Sequence, residues 1–383
     1  MIQIYHFNNG AGGGVFSVIR NLLQYSQNSA IENHVIYTIN TAQNPHFVKP
    51  NLVGATSEKV FYYSPRWNFY HTCKALAKLL PNEKAIIIAH DWLELGMVSN
   101  LGLPNPVVHI LHGDFDYYYH LAEKHVRNIG AFIAVSKVIA HKLEGVLPMA
   151  TNKIHYLRFP TPLVDTSHLQ YDAVRVVYCV NDLNDERKQF QIIPKIAKEV
   201  QALEANVEWY IVGRGLTEQQ IQTRFGPNLK RSVNYLGYLN SQELSILLSK
   251  VNMLILPSLQ EGLPVIVVEA MKHGIVPLVT QWGEATEEFI IHGQSGYTFT
   301  VGDVRGYAQT IVALKGNSQL HRQMGQEAKA LANQYFDPVI NTKAYEEIFI
   351  KALPQIQQPF KAYGSRLDNR WIPNKIVSIL RNK

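Results

Sequence analysis

Cysteine is scarce: the 383-residue chain has two, Cys73 and Cys179. That excludes a disulfide framework and a cysteine-built zinc site, and a reducing, cytosolic setting fits. Long apolar runs are missing as well. Stretches such as Ala85–Ala89 and Leu263–Val268 fall far short of the roughly 18–20 residues of a membrane span. The N-terminal MIQIYHF has neither the basic start nor the apolar core of a signal peptide. Charge is thin, 17% of residues with a net +6, and it is uneven. Lys361, Arg366, Arg370, Lys375, Arg381 and Lys383 stand against Asp368 alone in the last stretch, so the tail holds most of the excess. The nearly neutral remainder excludes a broad nucleic-acid-binding stripe.

What is present is a large buried core. Hydrophobic residues make up 46% of the chain, and its length suits two domains. Short apolar runs alternate with helical periodicity. Ile2–Phe7, His34–Ile39, Lys59–Tyr63, Ala85–Ala89, Val107–Leu111 and Phe132–Val135 read as strands. The pattern breaks near Arg158–Asp172, where Pro160 and Pro162 cluster with polar residues, and then resumes. Val174–Val180, Val207–Val212, Val233–Leu236, Met253–Leu256 and Val276–Val279 read as the second set. Short continuous runs between helices indicate parallel sheets buried on both faces. The expected organisation is α/β, with two doubly wound Rossmann-like domains facing a cleft. The expected bounds are 1–165, 166–355 and a basic segment 356–383 that packs back on the first domain. Ligands in such sheets bind beyond the carboxyl ends of the strands, so chemistry is sought there.

Two stretches stand out. Gly12-Gly13-Gly14 lies between the first strand and the first helix, where bare backbone N–H groups and a helix N-terminus suit a phosphate; a flexible turn is the alternative. No Gly-Lys-Ser/Thr follows, so it is not a Walker loop. Val15 stands where a dinucleotide fingerprint needs glycine, and the second strand ends Thr38-Ile39-Asn40 with no acid for a ribose, which disfavours a dehydrogenase. The second stretch, Glu261-Gly262-Leu263-Pro264 through Glu269-Ala-Met-Lys-His-Gly274, sets two carboxylates eight residues apart across a loop and a helix start. Their surroundings are apolar, so ionised side chains there need polar partners such as sugar or ribose hydroxyls.

This second stretch resembles the E-x7-E signature of the retaining glycosyltransferases of group 1, family 4, which have the GT-B fold. EAMKHG followed by Ile275-Val-Pro-Leu-Val279 is similar to the rest of that signature. The glycine loop, His90-Asp91-Trp92, His112-Gly113, Val135-Ser136, Gly213-Arg214-Gly215, Leu236-Gly237-Tyr238 and His292 to Gly296 also match family stretches, so the resemblance covers roughly residues 1–350. One stretch departs. The family often has Arg and Lys after the first strand of the second domain; here Lys188 holds the lysine position, Gln189 replaces a glycine, and Asn181 or Asp182 stands for the arginine, with Arg187 as a possible substitute.

The resemblance implies retaining, metal-independent transfer of a hexosyl group from a nucleoside-diphosphate sugar of UDP or GDP type to a hydroxyl acceptor, a saccharide or a lipid-linked one, in surface polysaccharide or glycolipid synthesis. No cofactor is expected. Lys188, Arg187 and the backbone of Gly13 and Gly14 are expected around the diphosphate. Glu261, with Gly262, Leu263 and Pro264, is expected to hold sugar and phosphate, and Glu269 the ribose. Tyr238 is expected near the base, and His112 on a sugar hydroxyl. His90 and Asp91 fall on the acceptor side. Asp114-Phe115-Asp116 has the form of a metal-bridging pair but reads as a loop or acceptor-side feature. The stretch Arg66–Leu80, with His71, Lys74 and Lys78, reads as an ordinary surface helix or a dock for anionic lipid. Trp371, Ile372, Ile376, Ile379 and Leu380 read as an apolar face that packs on the first domain or touches a membrane. The alternatives are a sugar-nucleotide epimerase or a phosphorylase of the same fold, or a non-catalytic sugar-nucleotide-binding module.

Overall fold

The computed structural model describes residues 1–81, 84–165, 169–203, 205–353 and 365–381. Two compact units form: residues 1–160 with 338–383, and residues 161–337. The expected boundary at 166, and residues 356–364 and 382–383 of the expected tail segment, lie outside the described residues.

The first unit runs β1 (Ile2–Asn8), α1 (Gly14–Gln24), β2 (Ile31–Asn40), β3 (Ser57–Tyr63), α2 (Phe69–Ala77), β4 (Ile86–Ala89), α3 (Trp92–Leu101), β5 (Val107–Leu111), α4 (Asp116–His125), β6 (Ala131–Ala134), α5 (Lys137–Val146) and β7 (Ile154–Tyr156). The second runs β8 (Arg175–Asp182), α6 (Ile193–Ala202), β9 (Glu208–Arg214), α7 (Glu218–Phe225), β10 (Val233–Gly237), α8 (Ser241–Leu248), β11 (Met253–Leu256), α9 (Val265–Lys272), β12 (Val276–Thr280), α10 (Glu284–Glu287), β13 (Tyr297–Phe299), α11 (Val304–Gly316) and α12 (Ser318–Tyr335). The chain then returns to the first unit with α13 (Pro338–Lys351) and α14 (Asn374–Leu380).

Every ladder is parallel. The strand orders are β3-β2-β1-β4-β5-β6-β7 and β10-β9-β8-β11-β12-β13. Both sheets therefore reverse direction of growth at one point, between β1 and β4 and between β8 and β11. The central strands β4, β5, β11 and β12 are buried at every residue, as parallel strands covered by helices on both faces must be. That is why they appear in sequence as unbroken apolar runs. The edge strands β7 and β13 escape such a reading: each has three residues and is only partly buried.

Two expectations are corrected. Helix α13, expected in the second domain, belongs to the first unit. Its Tyr345 hydroxyl donates to the Leu157 carbonyl at 3.2 Å, its Glu346 accepts from Ser26 at 2.5 Å, and Phe349 sits edge-on to His6 on β1. Of the two readings of the tail's apolar face, packing on the first domain is not what forms: Trp371, Ile376, Ile379 and Leu380 are exposed, and Val377 alone of that helix is buried. Polar groups make the attachment instead. Asn68, the N-cap of α2, donates to the carbonyls of Asn369 and Ile372, and its backbone N–H donates to the Asn374 side chain. Asp368 accepts from the Phe69 N–H at 2.7 Å and pairs with Arg381. The helix read at Arg66–Leu80 is shorter, Phe69–Ala77, because Asn68 caps it.

Candidate active site

Each sheet presents a carboxyl edge at its point of reversal, where ligands of doubly wound sheets bind. In the first unit the loops after β1, β4 and β5 meet there. Gly13 is the N-cap of α1 with φ 94°, ψ −157°, a backbone shape that only glycine adopts without strain, and no side chain caps the helix. The loop before it is shaped by Asn8, which accepts from the Gly10 N–H at 2.8 Å, and Asn9, which accepts from the Ala11 N–H at 3.0 Å. Gly14 opens the helix. The result is a helix N-terminus without a side-chain cap, the geometry that favours an anion.

Beside it lies a group of imidazoles. His90 Nδ1 and His112 Nε2 are 2.8 Å apart, so one donates to the other. His6 from β1 stacks on His90 with centroids 5.8 Å apart, and His109 Nδ1 lies 3.1 Å from the Ala89 carbonyl, to which it donates. Burial lowers all four: His6 and His109 to about 4, His112 to about 3, and His90 well below its ordinary value. The group is uncharged at neutral pH and offers hydrogen bonds rather than charge. Among the described residues, no set of three or more His, Cys, Asp or Glu is placed to hold a metal.

Asp91 caps α3 in a capping box with Glu94, which accepts from the N–H groups of His90 and Asp91, both at 2.6 Å. Burial and the neighbouring Asp91 carboxylate push Glu94 up to about 8. Asp91 also accepts from Asn9 at 3.2 Å and from the Tyr117 hydroxyl. The Asp-x-x-Glu spacing is a legible capping signature; the roles of Asn9 and Tyr117 have no local signal. Asp114 is buried and engaged elsewhere, by Lys142 at 2.6 Å and Tyr119 at 2.7 Å.

The second unit's edge is built differently. After β8 the chain makes a short 3₁₀ turn, Glu186–Lys188, and Gln189 adopts φ 56°, ψ 37°. This is the left-handed shape that glycine adopts most readily, at the position where the resemblance led to an expectation of glycine. Lys188 forms an ion pair with Glu261 from the loop after β11. Glu261 is buried while Lys188 is partly open. The two loops are also joined by backbone: the Leu259 N–H donates to the Arg187 carbonyl at 2.7 Å. Tyr178 donates to the Lys188 carbonyl at 2.9 Å, its hydroxyl kept protonated by burial and by the Glu261 carboxylate.

Gly262, Leu263 and Pro264 are buried and lead into α9, whose N-cap is Pro264 with no side-chain cap. Ser136, Thr217 and Asn240 cap their helices with side chains; Gly13 and Pro264 do not. Glu269 is partly buried in α9 near Cys179, whose thiol is pushed up to about 12 by burial and then by that carboxylate. Arg187 is engaged within its own turn. Its guanidinium is half-exposed and makes a two-point contact with Asp185, at 3.0 and 2.7 Å, which holds that carboxyl below the usual range. Arg214, at the end of β9, lies 3.9 Å from the centre of the Tyr238 ring, a pairing with no signal in the sequence.

Known proteins share this fold. The family description "Glycosyltransferase Family 4" matches residues 12–160, and "Glycosyl transferases group 1" matches residues 174–317. The chain belongs to the group 1, family 4 glycosyltransferases, with the GT-B fold. A relative described as an uncharacterized glycosyltransferase of Haemophilus influenzae is 22% identical over 346 residues, 87% of this chain and 96% of its own length. An N-acetyl-alpha-D-glucosaminyl L-malate synthase of Bacillus anthracis is 25% identical over 185 residues, 48% of this chain and 47% of its own length. Among solved structures, Anabaena Alr3699/HepE in complex with UDP and glucose is similar with TM-score 0.70 and 16% identity, covering 92% of this chain and 100% of that one. A point mutant of S. aureus TarM in complex with fondaparinux, alpha-GlcNAc-glycerol and UDP has TM-score 0.73 and 12% identity, with coverage of 92% and 100%.

Proposed function

We propose that this glycosyltransferase moves a hexosyl group, with retention and without a metal, from a UDP- or GDP-sugar to a hydroxyl of a saccharide or lipid-linked acceptor in surface polysaccharide or glycolipid synthesis. The observation that carries the reading is the Lys188–Glu261 pair at the second unit's carboxyl edge. The neighbours whose structures hold UDP support a nucleoside-diphosphate donor.

In this reading the anomeric C–O bond to the diphosphate breaks and its electron pair goes to the departing β-phosphate. The sugar passes through an oxocarbenium-like state, and the acceptor oxygen bonds to the anomeric carbon on the face just vacated, giving its proton to the departing phosphate. The protein's task is to hold charge and geometry. Lys188 faces the growing negative charge, aided by Arg187 when it leaves Asp185. The N–H groups that open α1 at Gly13 and Gly14, and those of Gly262 and Leu263 before α9, add positive potential, with Pro264, which has no N–H, fixing the start of that helix. Glu261, fixed by Lys188, takes sugar hydroxyls; Glu269 takes those of the ribose. Tyr238, flat against Arg214, offers a face to the base. His112, neutral and held by His90, hydrogen-bonds a donor-sugar hydroxyl, and Asp91 orients the acceptor. Contact with an anionic membrane at its cytoplasmic side belongs to the same proposal, supported by the exposed Trp371, Ile376, Ile379 and Leu380 beside the tail's basic residues. No helix among the described residues is long and apolar enough to cross a membrane.

A thermal-shift panel of nucleotide sugars tests the reading, since a ligand that binds only the native state raises the melting temperature. One UDP- or GDP-sugar should stabilise the wild-type chain and fail to stabilise Lys188→Ala. Transfer to acceptor, followed by NMR of the anomeric proton, should show retention. Epimer formed from donor alone, or full turnover in both Lys188→Ala and Glu261→Ala, overturns it.

A further inference from the structure

One cavity in the first unit is left unused by this reading. It has a volume of about 370 Å³ and lies among α2, α3, α4 and the C-terminal segment. Gly96 and Ser99 of α3 line it, with Trp67 and Phe69 at the start of α2, Trp92 at the start of α3, and Asp368 and Arg381 from the tail. A methyl group on Gly96 would come within 2.6 Å of the Phe69 ring, so glycine there makes room for that ring. Phe69 in turn stacks on Trp92 with centroids 5.5 Å apart, and Tyr63 meets Trp92 edge-on at 6.4 Å. Three rings are thus fixed against each other, yet Trp67 and Trp92 remain 39% and 38% exposed.

The tail closes this groove into a pocket, and its polar groups are already satisfied. Asp368 accepts from Arg381, Ser365 and the Phe69 N–H, and Arg381 also donates to the carbonyls of Pro65 and Trp67. What faces a ligand is therefore aromatic surface with an amide and an ammonium beside it, from Asn100 and Lys124. A hydrocarbon chain would cover the rings but also cover the half-buried Asn100 amide with nothing to bond it. A pyranose ring suits both parts: its C–H face lies on an indole and its hydroxyls accept and donate at the rim. A cavity of this size, mostly apolar with a few placed polar groups, is of the kind that holds small ligands.

We propose that this pocket is a saccharide subsite, with Trp92 as the platform, that takes sugar units of the acceptor remote from the reacting hydroxyl. Trp92 directly follows Asp91, so one residue joins the pocket to the first unit's carboxyl edge. The acceptor role rests on the transfer reading; saccharide binding as such does not.

The test titrates the full chain, without nucleotide, with maltopentaose, chitopentaose and a heparin-derived hexasaccharide in turn, followed by tryptophan fluorescence and saturation-transfer NMR. At least one should bind with Kd below about 1 mM. Trp92→Ala and Asn100→Trp, which remove the platform and fill the cavity, should each weaken that binding tenfold or more. Trp92→Phe, which keeps a ring, should retain most of it. Met149→Ala, exposed and outside the pocket, should leave it unchanged. Melting temperatures of all four show whether the fold is kept. Binding of none of the three saccharides, or equal binding by Trp92→Ala and Asn100→Trp, overturns the proposal. Saccharide binding without any nucleotide-sugar shift would keep the pocket and sink the donor reading; the reverse would sink the pocket alone.

Discussion

The two carboxyl edges share a topology and differ in chemistry. Both arise where a parallel sheet reverses its direction of growth, between β1 and β4 and between β8 and β11. The first edge is furnished with neutral, desolvated imidazoles and a carboxylate tied by Asn9 and Tyr117. The second is furnished with ion pairs, Lys188 with Glu261 and Arg187 with Asp185. A fold can thus set the place of a site without setting its electrostatics. A group that must receive negative charge belongs beside cations; a sugar hydroxyl needs only oriented donors and acceptors.

The comparison is broken if the wrong edge proves the costlier one to damage. Lys188→Ala should lower kcat/KM by about 10²- to 10³-fold, the usual consequence of removing one preorganised charge-stabilising group. His112→Ala should cost less, with the two variants compared in one donor-consumption assay.

The next effect is on stability against pH, to which the first edge contributes alongside His125 and the second unit's His273, both also lowered to about 4 by burial. The imidazoles of His6 and His109 have folded values near 4 against 6.5 for the free side chain. The unfolded chain therefore takes up protons first. Their contribution is whole above pH 6.5 and is lost as pH falls towards 4, at about 3 kcal/mol for each by this linkage. Glu94, raised to about 8 from 4.5, acts in the opposite sense: its contribution is whole below pH 4.5 and is lost as pH rises through 8. Melting temperature should fall steeply from pH 7 to 4. His6→Asn should flatten that acid limb, and Glu94→Gln should flatten the alkaline one. Unchanged slopes in both would show that the edge is not the desolvated cluster described.

Smaller effects test the two backbones. Gly13→Ala forces a side chain onto φ 94° and should cost about 1–3 kcal/mol, read as a lower melting temperature. Gln189→Gly relieves the left-handed residue at φ 56° and should stabilise by less than about 1 kcal/mol once glycine's greater freedom in the unfolded chain is counted. A loss of stability there would mean that the Gln189 side chain, which donates to the Glu186 carbonyl at 2.7 Å, outweighs the strain.

Much of the fold is legible in the sequence, for reasons that can be named. Strands such as Val107–Leu111 and Met253–Leu256 are buried on both faces, so their composition alone marks them. The partly buried β7 and β13 carry no such mark. The spacing of Glu261 and Glu269 is visible, yet only the structure shows that Glu261 is held by Lys188 and that Arg187 is held by Asp185. Helix α13 follows α12 of the second unit directly in sequence, and nothing local says that it joins the first unit, where its Tyr345 and Glu346 find Leu157 and Ser26.

The amino-acid order by itself determined the alternation of buried strands and helices, the loops that must bend at glycine, and the carboxylate signature that marks the family. These are local properties, fixed by burial period and backbone freedom over a few residues. The tertiary structure decided which histidines touch, which cation meets which carboxylate, and that a polar tail rather than its apolar face closes a pocket on α2 and α3. Those outcomes join residues far apart along the chain, and such partners are chosen by packing and desolvation, which no local pattern encodes.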